Sequence, residues 1–331
     1  MKISIPARSN VMRYSPPAAG ADDYHMPRTP SHALLAACAA LVLAMPPWVV
    51  AQPAGAPAAA PAANAPFVVG QMPLLVDAHG RLQAQVTLDG KGPLRFTLDT
   101  AASGFVLAQA TADRLHLRAG AARAVVGGIG RGQPQSVQVQ RLRTDLFDVE
   151  DAALALLPGV AGDGILGMAP FLHGRIEFDL ANHRLLAGPS GPTPAGFAAI
   201  AGSLHHGLLV VPVRIDGVDA QALVDTGTPL TIGNPRLQAA LGLLPGDARL
   251  SPGGIFTDAF GQPRNVEQAT LGHLRLGEIA FSQPTLRFAD MPVLRALGLD
   301  DGPALILGIG QLAQMGAIAI DFPRGQLQLR P

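Results

Sequence analysis

Two stretches of the chain alternate between apolar and polar residues in the way that half-buried strands do. They are QAQVTLDGKG at 83–92 and VVPVRIDGVD at 210–219. In each, an Asp-Gly pair that begins at Asp89 or Asp216 interrupts the alternation. Asp-Gly between two alternating runs predicts a hairpin with a two-residue turn. We therefore interpret both of these aspartates as turn residues.

Each hairpin leads into an apolar run that ends in Asp-Thr, and the same order of elements then follows in both copies. An Ile-Leu-Gly element comes far downstream, and a closing strand follows it. The offset between copies is 126 residues for the aspartates, 141 for the glycines and 142 for the aspartates of the closing strands. Such a repeat predicts a duplicated domain. The paired segments are 94–107 and 221–233, 164–171 and 305–312, and 175–180 and 317–322.

Helical patterns in the chain are few and short. Leucines at helical spacing predict helices at Gln109–Leu117 and Pro235–Leu243, each after an Asp-Thr run, and a third near Met291–Leu299. The remaining apolar segments have strand length, and 38 Gly and 30 Pro favour many short strands and turns. The pattern predicts an all-β protein of two lobes with a cleft between them.

Composition narrows the class of protein. The 331 residues are 48% hydrophobic and 15% charged, which is enough to bury a core in two lobes of moderate size. Because the formal net charge is zero, nothing in the composition favours binding to nucleic acid or to an acidic membrane. We expect an N-terminal lobe at 67–190, a linker at 191–203 and a C-terminal lobe at 204–331.

The N-terminal segment 1–51 is typical of a secretory signal. Its apolar run at 33–50 follows Arg28 and leads to small residues, which predicts cleavage near Ala51. Met26 is an alternative start that gives a signal of ordinary length. We expect export to the periplasm or the medium and no stable membrane insertion after cleavage; an uncleaved membrane anchor is the alternative.

The segment after the signal, residues 52–66, is rich in alanine and proline and predicts a disordered tether. Cys38, the only cysteine, lies inside the signal. The mature chain is therefore expected to have no disulfide and no thiol chemistry.

Three motifs together resemble a known family. They are the Asp-Thr-Gly type of turn after an apolar strand, the glycine-rich GGIG at 127–130 and the Ile-Leu-Gly element in both copies. Over nearly all of residues 80–331 the chain resembles the aspartic proteases, and the bacterial retropepsin-like proteins more than the pepsins. The resemblance implies a two-lobed β-barrel pseudo-dimer that acts as an endopeptidase on a polypeptide substrate.

Asp99 and Asp225 are the candidate catalytic residues. Two carboxyls held together in a dry cleft share one proton, so the ionised one can accept a proton from water while the protonated one polarises the scissile carbonyl. This chemistry needs no metal and no cofactor. The resemblance implies that Thr100 and Thr226 tie the two turns together. We expect a monomer with intramolecular pairing; pairing between chains, with two sites, is the alternative.

The two turns differ at the positions after Asp-Thr. Ala101 stands in the first turn where Gly227 stands in the second, and a methyl group there can strain the turn or crowd the cleft. A non-catalytic peptide-binding or scaffold protein is therefore the alternative function. Thr228 is expected to donate a hydrogen bond to Asp225 and so make it the more acidic of the pair.

Two glycine-containing hairpins are candidate flaps over a bound peptide. The first includes Gly127, Gly128, Ile129 and Gly130, and the second includes Gly254, Ile255 and Phe256. Glycine permits both the turn and the motion of such a flap. The alternative is a pair of surface hairpins with no contact to ligand. Val106, Leu230, Ile129 and Phe256 are candidate walls of the cleft.

Overall fold

The structure is a computed structural model that describes residues 40–41, 68–122, 125–127, 131–257 and 259–331, with only the backbone described at 40–41, 121–122, 125–127 and 131. Strands dominate the first half of the described chain. They are β1 (Ala40–Leu41), β2 (Gly70–Pro73), β3 (Leu75–Val76), β4 (Leu82–Leu88), β5 (Lys91–Leu98), β6 (Phe105–Ala108), β7 (Ala119–Ala122), β8 (Val125–Gly127), β9 (Arg131–Gly132), β10 (Gln135–Arg143), β11 (Asp148–Leu157), β12 (Gly164–Leu166), β13 (Arg175–Asp179) and β14 (Arg184–Gly188).

The second half repeats this pattern of strands. They are β15 (Ala198–Ala201), β16 (Ser203–His205), β17 (Leu208–Ile215), β18 (Val218–Asp225), β19 (Ile232–Gly233), β20 (Ser251–Thr257), β21 (Pro263–Thr270), β22 (His273–Leu276), β23 (Ile279–Ser282), β24 (Thr285–Phe288), β25 (Ala304–Gly308), β26 (Ala317–Asp321) and β27 (Gln326–Arg330). The helices are α1 (Gln109–Arg114), α2 (Pro235–Ala240), α3 (Pro292–Ala296) and α4 (Ile309–Leu312), and a 3₁₀ turn lies at Ala169–Phe171.

The first lobe is a closed barrel. Its ladder runs β3-β4-β5-β12-β6-β11-β10-β7, and a further pairing of β4 with β10 closes the ring. Alternation in the sequence places one face of each strand inside, as in β4, where Leu82, Ala84, Val86 and Leu88 are all buried. The predicted turn at Asp89 joins β4 to β5 with positive φ at both central residues, as a type I′ turn requires.

The second lobe is built on a curled sheet of the same order. Its ladder runs β20-β21-β24-β19-β25-β18-β17-β22-β23, and β16 pairs with β17. The predicted turn at Asp216 joins β17 to β18 and also has positive φ at Asp216 and Gly217. The all-β, two-lobed fold predicted from the sequence is therefore confirmed.

A third sheet contains strands from both copies of the repeat. Its order is β15-β27-β26-β13-β14-β2, and at its centre β13 pairs antiparallel with β26. The register places Phe178 opposite Ile318 and Ile176 opposite Ile320, all fully buried. The closing strands of the two copies thus form one continuous sheet with a shared apolar core.

The three predicted helices are present but shorter than predicted. They end at Arg114, Ala240 and Ala296, one turn or less before the predicted ends. Asn234 caps α2, because its side chain accepts a hydrogen bond from the N–H of Leu237. α4 and the 3₁₀ turn follow the two Ile-Leu-Gly elements, and the sequence analysis did not predict either of them.

The predicted linker, tether and signal segments differ in how they correspond to the structure. Residues 198–201, inside the predicted linker 191–203, form β15 and pair with β27. The predicted tether at 52–66 and most of the predicted signal at 1–51 lie outside the described residues; of the signal, only β1 is described, and it pairs with β8. None of the helices in the described part of the chain has the length and apolar character needed to cross a membrane.

Glycines of the two Ile-Leu-Gly elements lie directly against the turns that follow Asp99 and Asp225. A Cβ at Gly167 would lie 2.3 Å from the carbonyl oxygen of Gly104 and 2.6 Å from that of Ala102. A Cβ at Gly308 would lie 2.2 Å from the carbonyl oxygen of Leu230. Any side chain at either position would displace the backbone of an Asp turn.

We therefore expect Gly167→Ala to destabilise the protein by about 3 kcal/mol or more, because the added methyl group overlaps backbone that cannot rotate away. The matched control is Gly188→Ala, since nothing lies within 4 Å of a Cβ there and its φ is not positive. Urea unfolding of the two variants measures the difference. Equal stability of the two would show that the turn is free to shift.

Candidate active site

The two Asp turns occupy equivalent places in the two lobes. Asp99 directly follows β5, and Asp225 is the last residue of β18. Each strand pairs in parallel with the strand of an Ile-Leu-Gly element, so that Leu98 lies opposite Leu166 and Asp225 opposite Gly308. The backbone N–H of Asp99 donates to the carbonyl of Leu166 at 3.1 Å. Both carboxyls are therefore held at the ends of buried strands.

Thr100 and Thr226 join the two turns through crossed hydrogen bonds. The N–H of Thr100 donates to Oγ1 of Thr226 at 3.2 Å, and the N–H of Thr226 donates to Oγ1 of Thr100 at 3.0 Å. Each hydroxyl then donates to a carbonyl of the other lobe, Thr100 to Val224 at 2.8 Å and Thr226 to Leu98 at 2.7 Å. Because both threonines are fully buried, the four bonds fix one turn against the other.

The carboxyls of Asp99 and Asp225 are fully buried and lie within hydrogen-bonding reach of each other. Oδ1 of Asp99 accepts from the N–H of Ala101 at 2.8 Å, and Oδ1 of Asp225 accepts from the N–H of Gly227 at 2.7 Å. Oδ2 of each is buried and has no hydrogen-bond partner among the described residues.

Burial has the expected effect on the ionisation of the pair. Desolvation raises the pKa of Asp225 above its ordinary value, and desolvation together with the charge of Asp225 raises the pKa of Asp99 well above it. Two carboxyls in contact titrate as a pair, so the raised values mean that the pair retains one proton at a pH where ordinary aspartates are ionised.

Thr228 does not donate to Asp225 as the sequence analysis expected. Its hydroxyl oxygen accepts a hydrogen bond from the N–H of Leu230 at 3.2 Å, which turns the side chain into the local loop. The backbone N–H of Thr228 takes part in stabilising Asp225, and the N–H of Ala102 does the same for Asp99. The backbone donors are thus matched in the two turns, at Ala101 and Ala102 for Asp99 and at Gly227 and Thr228 for Asp225.

Gly227 and Ala101 occupy equivalent positions in the two turns. A Cβ at Gly227 would lie 2.5 Å from both Cγ and Oδ2 of Asp99, so only glycine fits against that carboxyl. Ala101 is 3% exposed, and its methyl group packs in an apolar cluster whose other members all belong to the second half of the chain. The methyl group in the first turn is therefore accommodated by the core of the opposite lobe.

A layer of apolar residues on the side of the second lobe covers Asp99 and Asp225, which we call the dyad. Phe256 of β20 is fully buried in the same cluster as Ala101, together with Met291 and Leu294 of the α3 region. Phe256 was predicted as a flap residue and a cleft wall; the structure places it in this layer. Its neighbour Ile255 is 45% exposed, and Gly254 has φ of 83° at an irregularity in the β20–β21 ladder.

The loop that joins β20 to β21 reaches the first lobe. The carbonyl of Ala259 accepts a hydrogen bond from the N–H of Gly159 at 2.8 Å, and Ala259 is fully buried among residues of the first lobe that include Ala102 and Val106. A Cβ at Gly132 would lie 2.8 Å from the ring of Phe260. The second hairpin thus bridges the two lobes on the side of the dyad.

The first predicted flap is described only in part. Gly127 is the last residue of β8, while Gly128, Ile129 and Gly130 lie outside the described residues. Of the remaining predicted cleft walls, Val106 is fully buried beside Ala102, and Leu230 packs against the cluster that contains Ala101.

The sequence analysis predicted the helix α3 but not its place at the site. Between the strands that precede it and the Ile-Leu-Gly element, the second lobe has residues 289–303, where the first lobe has only 158–163. The growth of the repeat offset from 126 to 141 residues was the available signal of this insertion. The offset shows that residues were added between Asp225 and Gly308 but does not locate them, because 289–303 exceeds 158–163 by nine residues and the offset grows by fifteen.

Comparison with known proteins identifies the family. The sequence profile described as aspartyl protease matches residues 84–169 and 211–310. These segments make up more than half of the chain, and each contains one Asp turn, so the chain belongs to the aspartyl protease family. The resemblance seen in the sequence is confirmed at that level.

A retropepsin-like aspartic protease from Rickettsia conorii, known from its crystal structure, is among the similar structures. It shares 18% sequence identity over 43% of this chain and 96% of its own, with a TM-score of 0.29. No curated protein sequence matches this chain at a significant level.

We expect Thr226→Val to destabilise the protein by about 2–4 kcal/mol, because it leaves the buried N–H of Thr100 and carbonyl of Leu98 without partners. Thr226→Ser keeps the hydroxyl and loses one methyl group, which costs about 1 kcal/mol. Urea unfolding compares the two variants. If valine were no worse than serine, the crossed bonds would not be what holds the turns together.

The dyad should also make the free energy of unfolding depend on pH, with a contribution that decreases as the pH rises. Because folding raises both pKa values, the folded state binds more protons than the unfolded state above about pH 4. The dyad's contribution is fully present below that pH and is lost as the pH rises through the folded pKa values. The slope reaches about 1.4 kcal/mol per pH unit for one retained proton.

The measurement is the free energy of unfolding from pH 4 to 8 for the protein and for the double variant Asp99→Asn/Asp225→Asn. Aspartates with lowered pKa values, such as Asp163 and Asp179, are present in both proteins and cancel in the difference. The difference should change steadily in favour of the double variant as the pH rises. Parallel curves would mean that the carboxyls titrate normally.

Proposed function

We propose that this chain is an aspartic endopeptidase that hydrolyses peptide bonds with a water molecule activated between Asp99 and Asp225. The observation that carries the proposal is the contact between two buried carboxyls held in register by crossed threonine bonds. Membership of the aspartyl protease family agrees with it.

The proposed mechanism uses one proton shared by the pair. The ionised carboxyl removes a proton from water as the water attacks the scissile carbonyl carbon, and the protonated carboxyl donates to the carbonyl oxygen. The carboxyl that took the proton from water then donates it to the nitrogen of the leaving amine, and the other carboxyl recovers its proton from a hydroxyl of the tetrahedral intermediate as the intermediate collapses. The amide donors at Ala101 and Gly227 hold Oδ1 of each carboxyl, which leaves Oδ2 of each for these transfers.

Access of a polypeptide to the dyad requires the cover to move. Asp99 and Asp225 have no exposed surface, and the β20–β21 hairpin is bonded to the first lobe through Ala259. Opening this hairpin breaks the Gly159–Ala259 bond and exposes the fully buried side chains of Ala259 and Phe256, while both lobes stay folded. We propose that this hairpin is the part that opens.

A non-catalytic peptide-binding protein of the same fold is the second candidate. The observation that favours it is Ala101, which replaces a glycine at a position where the equivalent Gly227 lies against the opposite carboxyl. We further propose, from the signal at 1–51, that the chain is exported to the periplasm or the medium and acts there as a monomer.

The test is cleavage of an unfolded protein by the chain from Gln52 across pH 3 to 8. Either Asp99→Asn or Asp225→Asn should abolish cleavage, because a single carboxyl cannot both activate water and protonate the carbonyl oxygen. We expect a loss of at least about 10³-fold in kcat/KM for each variant, since general acid–base catalysis contributes about 10²–10⁴-fold.

The matched control is Asp219→Asn, which removes an aspartate whose side chain is 82% exposed and lies outside the site. It should cleave at the rate of the unchanged protein. Cleavage that survives in one of the dyad variants would contradict a shared dyad. No cleavage by any correctly folded form would favour the peptide-binding protein.

A further inference from the structure

A cavity lies beside the segment that follows the Asp225 turn, and neither Asp99 nor Asp225 lines it. Its volume is about 370 Å³, within the range of pockets that hold small molecules. Three segments and two side chains of neighbouring strands form its wall. They are residues 229–231, which follow the Asp225 turn, residues 282–285, residues 310–314 through Gly310, Gln311 and Gln314, and Gln268 and Arg287.

Among the described residues that line this cavity, Arg287 is the one with a charged side chain. No carboxylate lines the cavity, and within the described part of the chain none forms an ion pair with Arg287. Arg249 and Arg295 of the same lobe are paired with Asp247 and Asp290, whereas Arg264 and Arg275, like Arg287, form no ion pair among the described residues. Partial burial lowers the pKa of Arg287, and no neighbouring acid offsets this loss of hydration.

Gln311 has an unsatisfied hydrogen-bond donor next to the cavity. It is 8% exposed, lines the cavity, and its Nε2 is buried with no hydrogen-bond partner among the described residues. Because Nε2 has no accessible surface, a carboxylate in the cavity can accept its hydrogen bond only after the Gln311 amide turns towards the cavity, which would satisfy a donor that now has no partner among the described residues. Hydroxyls of Thr231, Ser282 and Thr285 and amides of Gln268 and Gln283 complete a wall that is polar and free of negative charge.

We propose that this cavity is a binding site for a carboxylate group, with Arg287 as the charged partner and Gln311 as a neutral donor. A guanidinium matches a carboxylate with two parallel hydrogen bonds, and one positive charge balances one negative charge. A phosphate carries about two negative charges at neutral pH and would be left half-compensated by a single arginine. The group comes either from a free small molecule or from an acidic side chain of the polypeptide substrate.

Hydrogen bonds connect the wall of the cavity to the strand that carries Asp225. The carbonyl of Thr231 accepts from the N–H of Arg287 at 3.0 Å, and the hydroxyl of Thr231 accepts from the N–H of Gly308 at 3.3 Å. Gly308 is the residue paired with Asp225 in the sheet. A carboxylate bound to Arg287 therefore lies two hydrogen bonds from the candidate active site.

The first experiment tests the site without reference to proteolysis. N-acetyl-aspartate amide, which carries the carboxylate, and N-acetyl-asparagine amide, its neutral isostere, are titrated into the mature chain by calorimetry. The aspartate probe should bind at millimolar concentration, at about −4 kcal/mol for 1 mM, and the asparagine probe about 10-fold more weakly or not at all. The absence of binding by the aspartate probe at about 10 mM would overturn the proposal.

Variants locate the bound probe. Arg287→Gln and Gln311→Leu should weaken the aspartate probe, the first by about 10-fold or more because it removes a charge-assisted pair. Arg118→Gln, an exposed arginine in the other half of the chain, should leave binding unchanged. Unaltered binding by a folded Arg287→Gln variant would also overturn the proposal. Should that variant not fold, the comparison of the two probes on the unchanged protein still decides.

The second experiment identifies the source of the carboxylate and rests on the proposed function. Peptides that differ only by Glu or Gln at one position are compared by kcat/KM, with the position moved along both sides of the cleaved bond. The preference is the ratio of kcat/KM for the Glu peptide to kcat/KM for the Gln peptide. If this ratio exceeds one at one position and decreases to about one in Arg287→Gln, the substrate supplies the carboxylate. No preference at any position, with probe binding intact, shows a free carboxylate. No cleavage of any peptide would count against the proposed function alone, because probe binding is measured separately.

Discussion

Everything at the centre of this molecule depends on keeping two like-charged groups in contact inside a dry interior. Such a pair is unfavourable unless it shares a proton, and it needs a rigid frame to stop the carboxyls from separating. The four crossed bonds of Thr100 and Thr226 supply that frame at the turns. Gly167 and Gly308 also hold the turns in place. Each lets a strand approach the backbone of a turn more closely than a side chain would allow.

Much of the fold could be predicted because local and repeated signals agree. Alternation with period two predicted the strands, Asp-Gly predicted two hairpin turns, and the same order of motifs in both copies indicated the duplication. The two Asp turns were found for the same reason, since Asp99 and Asp225 follow equivalent apolar strands. The strand, turn and Asp-Thr patterns each lie within about fifteen residues, where the sequence carries the physical cause directly.

Features that depend on distant contacts could not be predicted in the same way. A helical pattern near Met291 indicates a helix but does not show that it packs beside Ala101, nearly two hundred residues away. Phe256 was expected to contact a ligand, yet an aromatic residue on a strand is equally suited to a buried layer, and the sequence does not distinguish the two. A hydroxyl can accept one hydrogen bond and donate another, so the sequence does not show that Thr228 accepts from Leu230 without donating to Asp225; only the loop geometry decides this. The cavity at Arg287 is assembled from four separate parts of the chain and has no signal in any one of them.

The shared six-stranded sheet has a consequence for how the two copies behave as a unit. Because β13 and β26 belong to one polypeptide, the local concentration of one copy near the other is set by the covalent link and does not fall on dilution. A symmetric assembly of two identical chains must accept every substitution twice, once in each turn. Here a change can be confined to one copy, as Ala101 opposite Gly227 and the α3 insertion opposite the short loop at 158–163 already show. Duplication within one chain has therefore released the two copies from the requirement to remain identical.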